Sequence, residues 1–146
     1  MLAANRKKPW WLLESLLMAV LVGADQWLKW WFQMRDAVVM NEGGFLGILP
    51  EFWWLGGLLL VWLVLFHHWT RQEGWQRFGL LLILTGGLAN LLDRIIFGSV
   101  RDFIYYPMFG FYGNLADIFL VVGVLISLAS CLLLQYNPCE STQNQE

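Results

Sequence analysis

The stretch "ANLLDRIIFGSVRDF", residues 89–103, gathers Asn90, Asp93, Arg94, Arg101 and Asp102 at the end of a long apolar run. Asn90, Asp93 and Arg94 fall at i, i+3 and i+4, which sets them on one face of a helix. Asp102 follows in a connection rich in glycine and aromatics, and "NLAD", Asn114 to Asp117, opens the next apolar run. Taken singly, each residue has a structural role. Asn90, Asp93 and Arg94 could form a self-satisfied polar knot between helices. Asp102 could be a loop acid beside Arg101, and Asn114 could cap a helix with Asp117 as its first-turn acid. Taken together, they bring two carboxylates, Asp102 and Asp117, from adjacent segments to one surface. Two facing carboxylates that share a proton can activate water and protonate a leaving group. That is the chemistry of an aspartic protease, and it calls for no metal and no cofactor.

A second set of polar residues precedes these. Glu14, Asp25 and Lys29 lie 11 and 4 positions apart, and at 100° per residue they share one helical face. Asp25 and Lys29 can pair at i, i+4, whereas Glu14, nearer the other end, is expected to be solvated. Charged groups inside membrane helices are costly and are functional suspects by default. His67 and His68 are adjacent, so they face different directions on a helix and make a poor metal pair. No His/Cys ligand cluster accompanies Cys131 or Cys139. Cys131 reads as a lipid-facing or packing residue and Cys139 as a free thiol beside the membrane.

The elements that must position these groups are apolar. Hydrophobic residues make up 58% of the 146-residue chain and charged ones 14%, against roughly 25% charged in soluble domains. Four runs, at about 11–28, 52–69, 78–97 and 115–135, each approach the ~20 residues a helix needs to cross a bilayer. The expected fold is an all-α integral membrane protein, one domain over residues 1–146 with four transmembrane helices, ending in a polar, disordered tail at 136–146. "AVVMNEGGFLGILP" within residues 30–51 mixes β-branched residues with glycines, so a small extracytoplasmic β element is expected between helices one and two. Tryptophan pairs at 10–11, 30–31 and 53–54 mark helix ends as an aromatic belt would. Arg6, Lys7, Lys8, Arg71 and Arg77 would lie on one side and Lys29, Arg35, Arg94 and Arg101 on the other, which favours cytoplasmic termini. A cleaved signal peptide over residues 1–24 is the weaker reading, because Glu14 interrupts its apolar stretch. With a net charge of −2 and no basic patch, nucleic acid is not an expected partner. A small proton-coupled carrier component would spread its acids through the bilayer depth. Here Asp25, Asp93, Asp102 and Asp117 gather at one end.

Four motifs in order carry a family resemblance: "DQWLK" (25–29), "NEGGFLG" (41–47), "GGLANLLDRIIFGSVRDF" (86–103) and "NLAD" (114–117). With them the chain, over about residues 10–135, resembles the lipoprotein signal peptidases, or signal peptidase II. The resemblance implies a bacterial inner-membrane endopeptidase with its active site at the outer face. It would remove the signal peptide from diacylglyceryl-modified prolipoproteins, cutting just before the lipidated cysteine. Asp102 and Asp117 would be the catalytic dyad. Asn41, Asn90, Arg94 and Asn114 would orient the dyad or hold substrate, with Asp25, Lys29 and Asp93 in support. The implied partners are prolipoproteins and membrane lipids, the implied state a monomer, and globomycin-type lipopeptides the implied inhibitors. A catalytically dead lipopeptide-binding relative is disfavoured, because both dyad positions remain acidic. Three positions depart from the pattern: Ala89 and Gly113 each stand before an asparagine of the motifs, and Arg101 stands where an apolar residue usually precedes the aspartate. If Arg101 approaches Asp102, it would favour the ionised form of that carboxyl.

Overall fold

The structure, a computed structural model, describes residues 10–42 and 51–136. Its elements run α1 (Trp10–Gln33), β1 (Val39–Asn41), α2 (Glu51–Trp69), α3 (Gly74–Phe97), β2 (Val100–Asp102), β3 (Ile104–Tyr106), β4 (Phe111–Gly113) and α4 (Leu115–Tyr136). Two helices are longer than their apolar runs suggested: α1 continues past Leu28 to Gln33, and α3 begins at Gly74 rather than near 78. The extra turns are held by polar contacts, which a count of apolar residues does not register. The expected tail lies outside the described residues beyond Tyr136, as do Cys139 and most of "NEGGFLG".

Among the described residues, α1, α3 and α4 are long and apolar enough to cross a membrane. On α1 the packing is inverted relative to a water-soluble bundle. Leucines, valines and tryptophans cover the outside of α1, and the residues that α1 buries are Asp25 and Lys29. Thr85, Asp93 and Asn114 are also fully buried. Lipid can solvate the apolar exterior, so burial falls to the groups that lipid cannot solvate.

The strands show part of the expected β element. Residues 39–41 do form a strand, but its partner is β2 from the other connection, antiparallel with Val39 opposite Asp102 and Asn41 opposite Val100. A second antiparallel ladder, β3–β4, pairs Ile104 with Gly113. The rest of the first connection, 43–50, lies outside the described residues. Gly98 makes the turn into β2 possible. It ends α3 in the left-handed region, at φ 72°, with its N–H bonded to the Arg94 carbonyl.

The closest helix contact is between α3 and α4, where glycines replace side chains. A Cβ on Gly123 would sit 2.6 Å from the Gly79 carbonyl oxygen, and one on Gly86 would overlap the Ala116 carbonyl. Both obstacles are backbone, so the helices themselves must separate. Gly123→Ala and Gly86→Ala are expected to destabilise the bundle by about 1–3 kcal/mol, seen as a lower Tm in detergent. Gly23 has nothing within 4 Å of its missing Cβ, and Gly23→Ala should leave Tm unchanged or slightly higher.

Candidate active site

Asp102 ends β2, and Asp117 sits in the first turn of α4. The start of α4 is closed by a reciprocal cap. The Asn114 Oδ1 accepts from the Asp117 N–H at 3.1 Å, and the Asp117 Oδ2 accepts from the Asn114 N–H at 2.9 Å. The Ala116 N–H between them donates to Asp25 Oδ1 of α1 at 2.9 Å. The cap that the sequence suggests is therefore present, and it also builds the site. With its oxygen committed to a backbone donor, the Asn114 amide must turn its NH2 group outward, and this donates to Asp102 Oδ1 at 2.7 Å.

Each oxygen of both carboxylates accepts a hydrogen bond. Asp102 Oδ2 accepts from Asn41 Nδ2 at 2.9 Å, and Asp117 Oδ1 accepts from Asn90 Nδ2 at 2.8 Å. Three asparagines from β1, α3 and the α4 cap thus hold the two acids. Burial pushes the Asp102 carboxyl above the usual carboxylate range; the donors Asn41 and Asn114 oppose this, and nearby Asp117 adds to it.

Behind the pair lies a buried ionic cluster. Lys29 Nζ reaches Asp25 Oδ2 at 2.8 Å, Asp93 Oδ2 at 3.3 Å and Asn90 Oδ1 at 3.0 Å. An ammonium only donates, so Lys29 fixes the Asn90 oxygen toward itself and leaves the Asn90 NH2 for Asp117. Asn90, Asp93, Asp25 and Lys29 are therefore brought together as one network with the dyad. Arg94, one turn beyond Asn90 on α3, lies on the wall of a cleft of about 420 Å³ between α2, α3 and α4 that it shares with Trp62, Ile83, Gly87, Asn90 and Leu120.

One condition is not met and one expectation is overturned. Arg101 does not approach Asp102. Successive strand residues face opposite sides, and its guanidinium turns back to Asp93, Gln26 and Gln33. Glu14 is not simply solvated, because Arg77 donates to it from Nε at 2.7 Å, 63 positions along the chain. Sequence reasoning also missed Gln26, Gln33 and Tyr106. Gln26 and Gln33 are seven apart, two turns along one helix face, which was the available signal. Tyr106 packs beside the acid of α4: a Cβ on Gly113 would meet Asp117 Oδ2 at 2.9 Å and the Tyr106 ring at 3.0 Å. The absence of a side chain at 113, a departure in the motif, is thus what lets that ring and carboxylate close up.

The chain is similar to known proteins over most of its length. The family model described as signal peptidase (SPase) II matches residues 17–133. The lipoprotein signal peptidase of Chlorobaculum parvum is 36% identical over 115 residues, covering 70% of this chain and 69% of that protein. That of Bartonella bacilliformis is 31% identical over 143 residues, covering 82% and 86%. A bacterial membrane enzyme solved by the in meso method at 2.3 Å resolution shares the fold, with a TM-score of 0.75 at 22% identity over 86% of this chain and 90% of that one.

The double use of Asn114 can be separated experimentally. Aspartate is as good a cap as asparagine, but Asn114→Asp sets a third carboxylate where Asp102 now receives a donor. Its Tm should stay near that of the parent while peptide cleavage is lost. Asn114→Ala should lose activity and also about 1 kcal/mol of stability. Parental cleavage rates in Asn114→Asp would show that this amide does not serve the dyad.

Proposed function

The chain belongs to the signal peptidase II family, the lipoprotein signal peptidases of bacterial membranes, and on that premise we propose that Asp102 and Asp117 are the aspartic dyad that does the cutting. The substrate is a prolipoprotein whose signal peptide is removed, and the scissile bond lies just before the diacylglyceryl-modified cysteine. Asp117 takes a proton from water, whose oxygen attacks the scissile carbonyl. Asp102 lends its proton to the carbonyl oxygen as the tetrahedral intermediate forms. Collapse then breaks the C–N bond: the proton held by Asp117 passes to the leaving amine, and one hydroxyl proton of the intermediate returns to Asp102 as the new carboxyl forms. Assigning the shared proton to Asp102 follows from its burial. Asp117, in the first turn of α4, is placed beside it to take the proton from water. The pair titrates as a unit. Had Arg101 faced Asp102, the assignment would have been the reverse.

The observation that carries this reading is the asparagine cradle. Asn41, Asn90 and Asn114 hold two carboxylates from different segments side by side, at one end of the bundle. A proton carrier would need acids spread through the membrane, but Glu14, at the far end, is neutralised by Arg77. In the proposed topology four helices span the membrane, both termini are cytoplasmic and the dyad is at the outer face. The exposed Trp27, Trp30 and Trp31 of α1 then lie at the outer interface, where tryptophans favour the headgroup level. The enzyme acts as a monomer among membrane lipids. Its cleft, with Asn90 in the wall, receives the lipidated cysteine, and globomycin-type lipopeptides would compete there.

Asp102→Asn and Asp117→Asn should each reduce cleavage of a purified diacylglyceryl-modified prolipoprotein by at least about 100-fold while the protein stays folded. At 102 the new amide keeps its oxygen on the Asn114 donor, which the cap cannot release, and its NH2 then faces the donor of Asn41. Asn41 is then the group that must turn. Turnover retained in either variant would move the chemistry elsewhere; loss of both cutting and substrate binding would favour a role in binding alone.

A further inference from the structure

Arg101 is 4% exposed, yet it lies outside the dyad and its cradle. Four of its five N–H donors are engaged. Nη2 donates to Asp93 Oδ1 at 2.8 Å and Nε to Asp93 Oδ2 at 3.3 Å, a two-pronged grip on one carboxylate. Nη1 reaches Gln33 Oε1 at 3.1 Å, and Nη2 also reaches Gln26 Oε1 at 2.7 Å. The guanidinium stacks over the Phe97 ring at 4.2 Å, and the Arg101 backbone N–H donates to Asp93 Oδ2 at 3.0 Å. One residue thus ties β2 to α1 and α3 at once.

The strand it ties is three residues long, and so is its ladder partner β1. Ladders this short do not hold their own place. Asp102 is the next residue, on the opposite face and one Cα step, ~3.8 Å, away. Whatever locates Arg101 locates the reacting carboxyl. The charge balance points the same way. From α1, Asp25 and Lys29 face this core; α3 contributes Asp93, with Arg94 one position on; β2 contributes Arg101, with Asp102 behind it; and α4 contributes Asp117 through Asn90. Asp25, Asp93, Lys29 and Arg101 together are two anions and two cations. Without Arg101, Lys29 alone would face both acids, and its hold on the Asn90 oxygen would compete with them.

We propose that Arg101 is a positioning residue for peptide cleavage: locked between Asp93 of α3 and Gln26 and Gln33 of α1, it sets where Asp102 emerges and leaves Lys29 to keep Asn90 turned toward Asp117. The proposal rests on the assignment of Asp102 to the dyad. Lysine retains the charge but cannot reach Asp93 and both glutamines together. Methionine removes both charge and fork.

The test measures kcat, KM and the pH–rate profile for the full chain in detergent, normalised to folded protein, with Asp102→Asn in parallel. Arg101→Met should lower kcat about 10- to 100-fold, with KM little changed. It should also move the acidic limb to higher pH, because an uncompensated anion then sits behind the dyad. Arg101→Lys should keep the limb in place and still lose kcat. Gln33→Leu, which cuts one bond at the exposed end of α1, should lower kcat less, in the same direction, and serves if Arg101→Met does not fold. Parental kcat and limb in Arg101→Lys and Gln33→Leu, or a loss fully explained by the folded fraction, would overturn the proposal while the dyad stands. An active Asp102→Asn would overturn the dyad itself.

Discussion

The arrangement depends on one buried cation. Lys29 has three N–H donors and three partners, Asp25, Asp93 and Asn90, and no exposure to solvent. A charge at that depth is tolerable only with every donor used. Asp25 shares its helix; Asp93 and Asn90 belong to α3. The requirement therefore fixes how α1 is rotated and how far along α3 it sits. Asp25 spends its other oxygen on the first turn of α4, so the same cluster also locates the segment that carries Asp117. Three helices are brought into register by electrostatics. Apolar packing could not do this alone, because lipid solvates leucine as well as a neighbouring helix does.

The same groups are structural and chemical at once. The cap of α4 supplies a donor to each carboxylate, one from the Asn114 side chain and one from its backbone. A helix start is a place where N–H groups lack partners, which suits it to holding an anion. The strand carrying Asp102 needs support of another kind, from Asn41 across the ladder and from Arg101 beneath it. The proposed dyad is held by contacts that the bundle needs for its own stability, so substitutions here will seldom affect one property alone.

Local relations were legible in the sequence. The Asp25–Lys29 pair, the Asn114 cap with its first-turn acid and the gathering of aspartates at one end follow from helical spacing, and all are present. Relations that span the chain were not. Glu14 with Arg77 and Gln26 with Asp93 each join residues more than 60 positions apart, and periodicity says nothing about which helix neighbours which. The β element was assigned to one connection because three β-branched and apolar residues there suggested a strand, but a strand's partner is not written in its own composition. Arg101 was set beside Asp102 by adjacency, which in an extended backbone means opposite faces. Gly113 looked like a lost side chain and is instead the space that Asp117 and Tyr106 occupy.

In the proposed mechanism the two carboxylates share one proton, which burial favours at Asp102. The infrared spectrum of the enzyme labelled with 13C-aspartate, in lipid at neutral pH, tests it without substrate. The arrangement predicts an isotope-shifted band of a protonated carboxyl that is absent from Asp102→Asn. A spectrum with no such band, or one in which the band is unchanged in Asp102→Asn, would contradict it.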